Sequence, residues 1–120
     1  MTRWAKISYR FEGFHHYPNA PAKVHFLSYP HRHIFHVTVW VEQFHDERDV
    51  EYIQFKWEVG EVVSDIQGNQ HVESWSCETW ASAIGGALGA RYPDRRLRIE
   101  VLEDGENGAL VEMEAKLGPA

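Results

Sequence analysis

His15, His31 and His33 are the side chains of this sequence best placed to do chemistry. His31 and His33 flank Arg32 at the head of a run that alternates like a strand: His31, Arg32, His33, Ile34, Phe35, His36, Val37, Thr38, Val39, Trp40, Val41. Residues two apart on a strand share a face and stand about 7 Å apart along it, so two such imidazoles can converge on one cation. His15 closes the preceding strand-like run, Trp4 to Phe14, and offers a third ligand from a neighbouring strand. Three neutral imidazoles that leave a fourth position open are the ligand set of a catalytic zinc rather than a structural one. Such an ion lowers the pKa of a bound water towards ~7, or polarises a substrate carbonyl or hydroxyl. The competing reading is of polar strand histidines making hydrogen bonds. The chain has eight histidines, enough for some to cluster by chance.

These residues need a scaffold, and the patterning supplies one of order strand, strand, helix, helix, strand, strand. The first strand is expected at about Ala5 to Phe14, with Ile7, Tyr9 and Phe11 on one face. A loop follows, rich in turn formers from Tyr17 to Pro21, and Pro30 precedes the second strand at about His31 to Gln43. His36 falls on the face opposite His31 and His33, and His16 and His45 read as structural or exposed. Charges from Asp46 to Asp49 make a turn. Val50 to Phe55 leads into a helix in which Val59, Val62, Val63 and Ile66 recur at helical spacing and which Gly68 ends. A second helix starts near Ser76, a plausible N-cap, with Cys77, Trp80, Ile84 and Leu88 as its apolar stripe. Gly85, Gly86 and Gly89 are expected to let it lie close against another backbone, and Pro93 bars its continuation. The third strand spans about Arg96 to Glu103 with Leu97, Ile99 and Val101 on one face. Asp104-Gly105 and Asn107-Gly108 make a hairpin turn into a fourth strand at about Ala109 to Lys116. The fold class is therefore α+β: a four-stranded antiparallel sheet with two helices on one face. Such a sheet has two free edges, which are liabilities, so the edges are expected to pair across subunits in an oligomer.

Composition narrows the class of function. A chain of 120 residues is expected to be one domain, residues 1–120, able to bury roughly 65% of its unfolded surface. The formal net charge of −6, with basic residues scattered except at Arg95, Arg96 and Arg98, argues against a nucleic-acid partner. Cys77 is the only cysteine, so no intrachain disulfide forms and nothing requires an oxidising compartment. Met1 to Phe11 has no apolar core of a signal peptide, and no apolar run approaches a membrane span, so a cytoplasmic, soluble protein without a membrane partner is expected. Charge pairs such as Arg95 with Glu100 read as surface decoration, and Trp57, Trp75 and Trp80 as core or interface.

The motifs resemble the family of 6-pyruvoyltetrahydropterin synthase and 6-carboxytetrahydropterin synthase, the tunnelling-fold pterin enzymes. Phe11-Glu12-Gly13-Phe14-His15 looks like the family's F-x-x-x-H, whose histidine binds zinc, and His31-Arg32-His33 looks like its H-G-H, the other two ligands. Ser76-Cys77-Glu78-Thr79-Trp80-Ala81 is similar to the helix start T-x-E-N-x-A, and Val101-Leu102-Glu103-Asp104 to V-x-E-T, whose glutamate anchors the pterin. The order and rough spacing of these motifs span nearly the whole chain. The sequence also departs from the pattern. His25 stands where the family has its catalytic cysteine, Arg32 replaces the glycine of H-G-H, and the segment that supplies an aspartate and a histidine to the catalytic relay is missing, with His71 nearby.

The resemblance implies a zinc-dependent, lyase-like enzyme acting on a reduced pterin or a related purine-derived ring, assembled as a hexamer of stacked trimers with sites shared between subunits. Zinc would sit on His15, His31 and His33. Glu103, helped by backbone near Ser76 and Cys77, would hold the ring, because an ionised carboxylate accepts two parallel N–H donors as it does from arginine. The plain alternative is an acid leading into a turn. His25 or His71 would move protons, since an imidazole titrates near neutrality. His25 can equally be a fourth metal ligand or a solvated loop residue. The helix dipole would lower the pKa of Cys77 and make it a nucleophile, whereas its place on an apolar stripe favours burial or pocket lining. A second hypothesis is a non-catalytic protein that retains a pterin or modified nucleobase, and a third is a different metal hydrolase on the same scaffold.

Overall fold

A computed structural model describes residues 1–116 of the chain. The elements are β1 (Arg3–His15), a 3-10 helix (Ala22–Ser28), β2 (His31–Gln43), α1 (Tyr52–Asn69), α2 (Cys77–Arg91), β3 (Leu97–Glu103) and β4 (Asn107–Met113). The strands form one antiparallel sheet in the order β1-β2-β3-β4. The fold is α+β, as the sequence pattern implies. Period-2 alternation puts Ala5, Ile7 and Phe11 of β1, Phe35, Val37, Val39 and Val41 of β2, and Leu97, Ile99 and Val101 of β3 on one face. There they form one core with Phe55, Val59, Val62, Val63 and Ile66 of α1 and with Cys77, Trp80, Ala81, Ile84 and Leu88 of α2. Trp80 is fully buried and packs on Phe11 with ring centroids 4.9 Å apart. Among the described residues, no helix is long and apolar enough to cross a membrane.

Local chemistry sets the element ends. Glu51 caps α1 by accepting a hydrogen bond from the Gln54 N–H at 2.6 Å, and Ser76 caps α2 by accepting from the Thr79 N–H at 3.1 Å. α1 runs past Gly68 to Asn69. The chain leaves it through extended Gln70, so Gly68 stays helical and is not the terminator. The hairpin turn is Asp104-Gly105-Glu106. Asp104 and Gly105 have positive φ, 54° and 75°, and the Glu106 N–H closes it onto the Glu103 carbonyl. Strand pairing resumes after Glu106: Asn107 and Gly108, expected in the turn, are the first residues of β4, opposite Glu103 and Leu102. The 3-10 helix lies in what reads as loop, because a segment this short has no room for apolar periodicity.

Two expectations about side chains are corrected. Gly85 and Gly89 admit no neighbouring backbone. A methyl group added at Gly85 would stand 2.5 Å from Met113 Sδ and one at Gly89 3.4 Å from Met113 Cε, so these glycines seat a β4 side chain, while Gly86 faces open space. Arg95 is not paired with Glu100 on the surface. Its guanidinium donates at 2.7 and 3.3 Å to Asp49 and at 3.0 Å to the Glu42 carbonyl, and both partners of the Arg95–Asp49 pair are mostly shielded. The guanidinium and the Phe44 N–H hold the Asp49 carboxyl down at about 2.

Candidate metal centre

The β1–β2 register brings the three histidines together. His15 lies directly opposite His31, and Gly13 lies opposite His33, so no side chain competes with that imidazole across the ladder. All three rings stand on the helix-facing side, with centroids 4.5 to 4.7 Å apart and planes crossed at 71° to 88°. Phe35 forms an apolar floor, 5.6 Å from the His15 ring and 5.9 Å from the His33 ring.

Each imidazole is oriented through the same nitrogen. His15 Nδ1 faces the Trp75 carbonyl at 3.3 Å, His31 Nδ1 the Tyr29 carbonyl at 2.8 Å, and His33 Nδ1 an Asp104 carboxylate oxygen at 2.6 Å. An Nδ1–H held by an oxygen leaves Nε2 as the lone-pair atom, which is how proteins prepare a histidine for a metal. The ligand atoms lie within 4.8 Å of one another, and the trio could hold a metal ion. Among the described residues, the Nε2 atoms of His15 and His33 are buried without a hydrogen-bond partner. Orphaned buried acceptors are costly unless something else satisfies them, and a cation does so. Burial also pushes the His15 imidazole below its ordinary value, opposed by its bond to Trp75, which favours the neutral form that ligation demands.

Glu103 ends β3 opposite Phe35 and turns to the same face. Its Oε1 is 3.5 Å from His15 Nε2 and its Oε2 is 3.4 Å from His33 Nε2. Cys77 Sγ lies 3.9 Å from Glu103 Oε1. Burial, then the charges of Glu103 and Glu78, push the Cys77 thiol up to about 12, overriding the helix-dipole effect, so no thiolate forms there near neutral pH. A cavity of about 710 Å³ adjoins the cluster, lined among others by His15, Trp75, Ser76, Cys77 and Glu103.

The structure thus clusters His15, His31 and His33 beside Glu103, and His15, Glu103, Ser76 and Cys77 line the adjoining cavity, whose lining does not include His31 and His33. It does not bring His25 or His71 there. His25 is exposed on the 3-10 helix, edge-on to Tyr29, and His71 is exposed beyond α1; neither lines the cavity. His16, read as structural or exposed, does line it, and its backbone N–H donates to the Glu73 carbonyl. Sequence reasoning also missed Asp104. The signal was available: the residue after Glu103 on β3 must stand beside Ile34 of β2, one residue from His33. No protein-family model matches the chain, and no curated protein matches it in sequence.

Proposed function

We propose that this chain is a zinc protein of the tunnelling-fold, pterin-synthase type, a lyase-like enzyme that takes a reduced pterin or a related purine-derived ring in the cavity beside its histidines. The observation that carries this reading is the convergence of three imidazoles whose ligand atoms lie within 4.8 Å of one another, each ring with its Nδ1 engaged by an oxygen. When bound, zinc supplies Lewis acidity to the oxygens of the ring's side chain. The remaining work belongs to the protein. The carboxylate of Glu103 faces the cavity and suits a pair of parallel N–H donors on a ring edge, and the capped start of α2 at Ser76 and Cys77 walls the same space. A cavity of about 710 Å³ has ample room for a bicyclic ring. His25 and His71 do not line the cavity of a single chain, and in the hexamer with shared sites that the motif pattern suggests they would serve a site completed by a neighbouring subunit.

A non-catalytic binding protein is the second reading. It is favoured by the exposed positions of His25 and His71 and by the protonated thiol of Cys77, which leave the cavity of a single chain without the proposed proton carriers.

Elemental analysis of purified protein tests the metal. Near-stoichiometric zinc that is lost in His31→Ala and His33→Ala is expected, and a metal-free wild type removes the reading. Turnover of dihydroneopterin triphosphate separates the alternatives. Product formed by the wild type and lost in His25→Ala or His71→Ala, with ring binding kept, supports the enzyme. Tight binding without product supports the binding protein.

A further inference from the structure

We infer that Glu103 is itself a metal ligand, closing the fourth position of the three-imidazole site whenever no ring is bound. The inference rests on the cation site proposed above and adds to it a residue and a state. Two ligands bonded at 2.0–2.1 Å to one tetrahedral zinc stand about 3.3–3.4 Å apart. The Glu103 oxygens stand 3.5 and 3.4 Å from His15 Nε2 and His33 Nε2, the spacing of atoms that share an ion. Those two nitrogens are orphaned buried atoms among the described residues, and a ring whose single proton sits on Nδ1, against the Trp75 carbonyl or Asp104, offers Glu103 a lone pair at Nε2 rather than a donor. Left alone, the two sets of lone pairs repel. A cation between them turns that conflict into coordination.

The neighbouring acid is committed elsewhere. Asp104 Oδ1 accepts the Ile34 N–H at 2.9 Å and Oδ2 faces His33 Nδ1 at 2.6 Å, so it orients a ligand from behind. Strand alternation aims Glu103 at the Nε2 side of the rings, because it continues the inward row of Leu97, Ile99 and Val101 on β3. Among the described residues its one further hydrogen-bond partner, Cys77 Sγ at 3.9 Å, is a weak donor. A carboxylate in this position cannot grip the ion and a ring's N–H pair at once. Ring binding must therefore draw Glu103 off the metal, which opens the fourth position only when a ligand is present.

The test uses the full chain stripped of metal and titrated with zinc in competition with a chelator, and in parallel with cobalt(II) as a spectroscopic stand-in. Glu103→Gln keeps the shape of the side chain and removes its charge. It is expected to weaken zinc binding at least ~10-fold, since loss of even an outer partner costs that much, and to shift the visible cobalt bands as a water takes the vacated position. Glu103→Ala should do the same, and circular dichroism of both metal-free variants checks that each folds. Unchanged zinc affinity and an unchanged cobalt spectrum in a folded Glu103→Gln, with the wild type holding its metal, would remove Glu103 from the coordination sphere and leave the three-imidazole site standing. A wild type that binds neither zinc nor cobalt overturns both.

Discussion

At the scale of single residues the site is a set of Nε2 acceptors kept facing inward by two carbonyls and a carboxylate that accept from the Nδ1–H groups behind them. Asp104 shows how this can be probed without touching a ligand. Asp104→Asn retains an oxygen for the Ile34 N–H but turns an amide NH₂ towards His33 Nδ1, so the imidazole loses its anchor. Zinc affinity is expected to fall ~10- to 100-fold while the thermal midpoint of the metal-free protein stays put, measured by chelator competition and calorimetry. An unchanged affinity would mean that the β2 backbone alone fixes the His33 ring. The ligands themselves are legible in the sequence, because imidazoles two apart on an alternating run can share a face. Glu103 is legible as a site residue by motif and by strand parity. Their supports are less so: the carbonyls of Trp75 and Tyr29 carry no residue-type signal, and Asp104, reachable through the β2–β3 register, reads by type as an ordinary turn former.

At the scale of elements, glycines separate positions that need no side chain from those that merely lack one. Gly86, on the exposed side of α2, has nothing within 4 Å of an added methyl group, so Gly86→Ala should stabilise the protein by up to about 1 kcal/mol through helix propensity. Gly108 is the opposite case. A methyl group there collides with the Val101 carbonyl across the β3–β4 ladder, and Gly108→Ala should cost about 1–3 kcal/mol in urea unfolding as the hairpin shifts. If both substitutions moved the urea midpoint in the same direction, the packing of α2 and β4 described above would be wrong. The strands and helices are legible in order and nearly in extent, since each presents a sustained apolar period. The misplaced boundaries lie where one or two residues decide. The three-residue turn Asp104-Gly105-Glu106 leaves Asn107-Gly108 to the strand, and Gln70 rather than Gly68 releases α1.

At the scale of the whole molecule, the Arg95–Asp49 pair ties the loop after β2 to the entry of β3, and the Glu42 carbonyl shares the same guanidinium. This clip is invisible in the sequence, where Arg95 and Asp49 are merely members of two charged runs 46 residues apart. Because the folded pKa of Asp49, about 2, lies below its ordinary value of 3.8, its contribution to stability is present in full above about pH 4 and is lost as pH falls through 2. Asp49→Asn should therefore lower the melting temperature at pH 7 and flatten its decline between pH 4 and 2; an equal slope in both proteins would show that the pair adds nothing. The metal centre joins more distant parts still. Its side chains come from β1, β2 and the end of β3, so an ion there would clasp three strands of the sheet at one corner. Such a clasp acts as a reversible cross-link enclosing both helices within its loop, and it would have to let go before β1 could peel from β2. The sheet would then fray last at the histidine end, and the ion's residence time would set how long the chain stays folded.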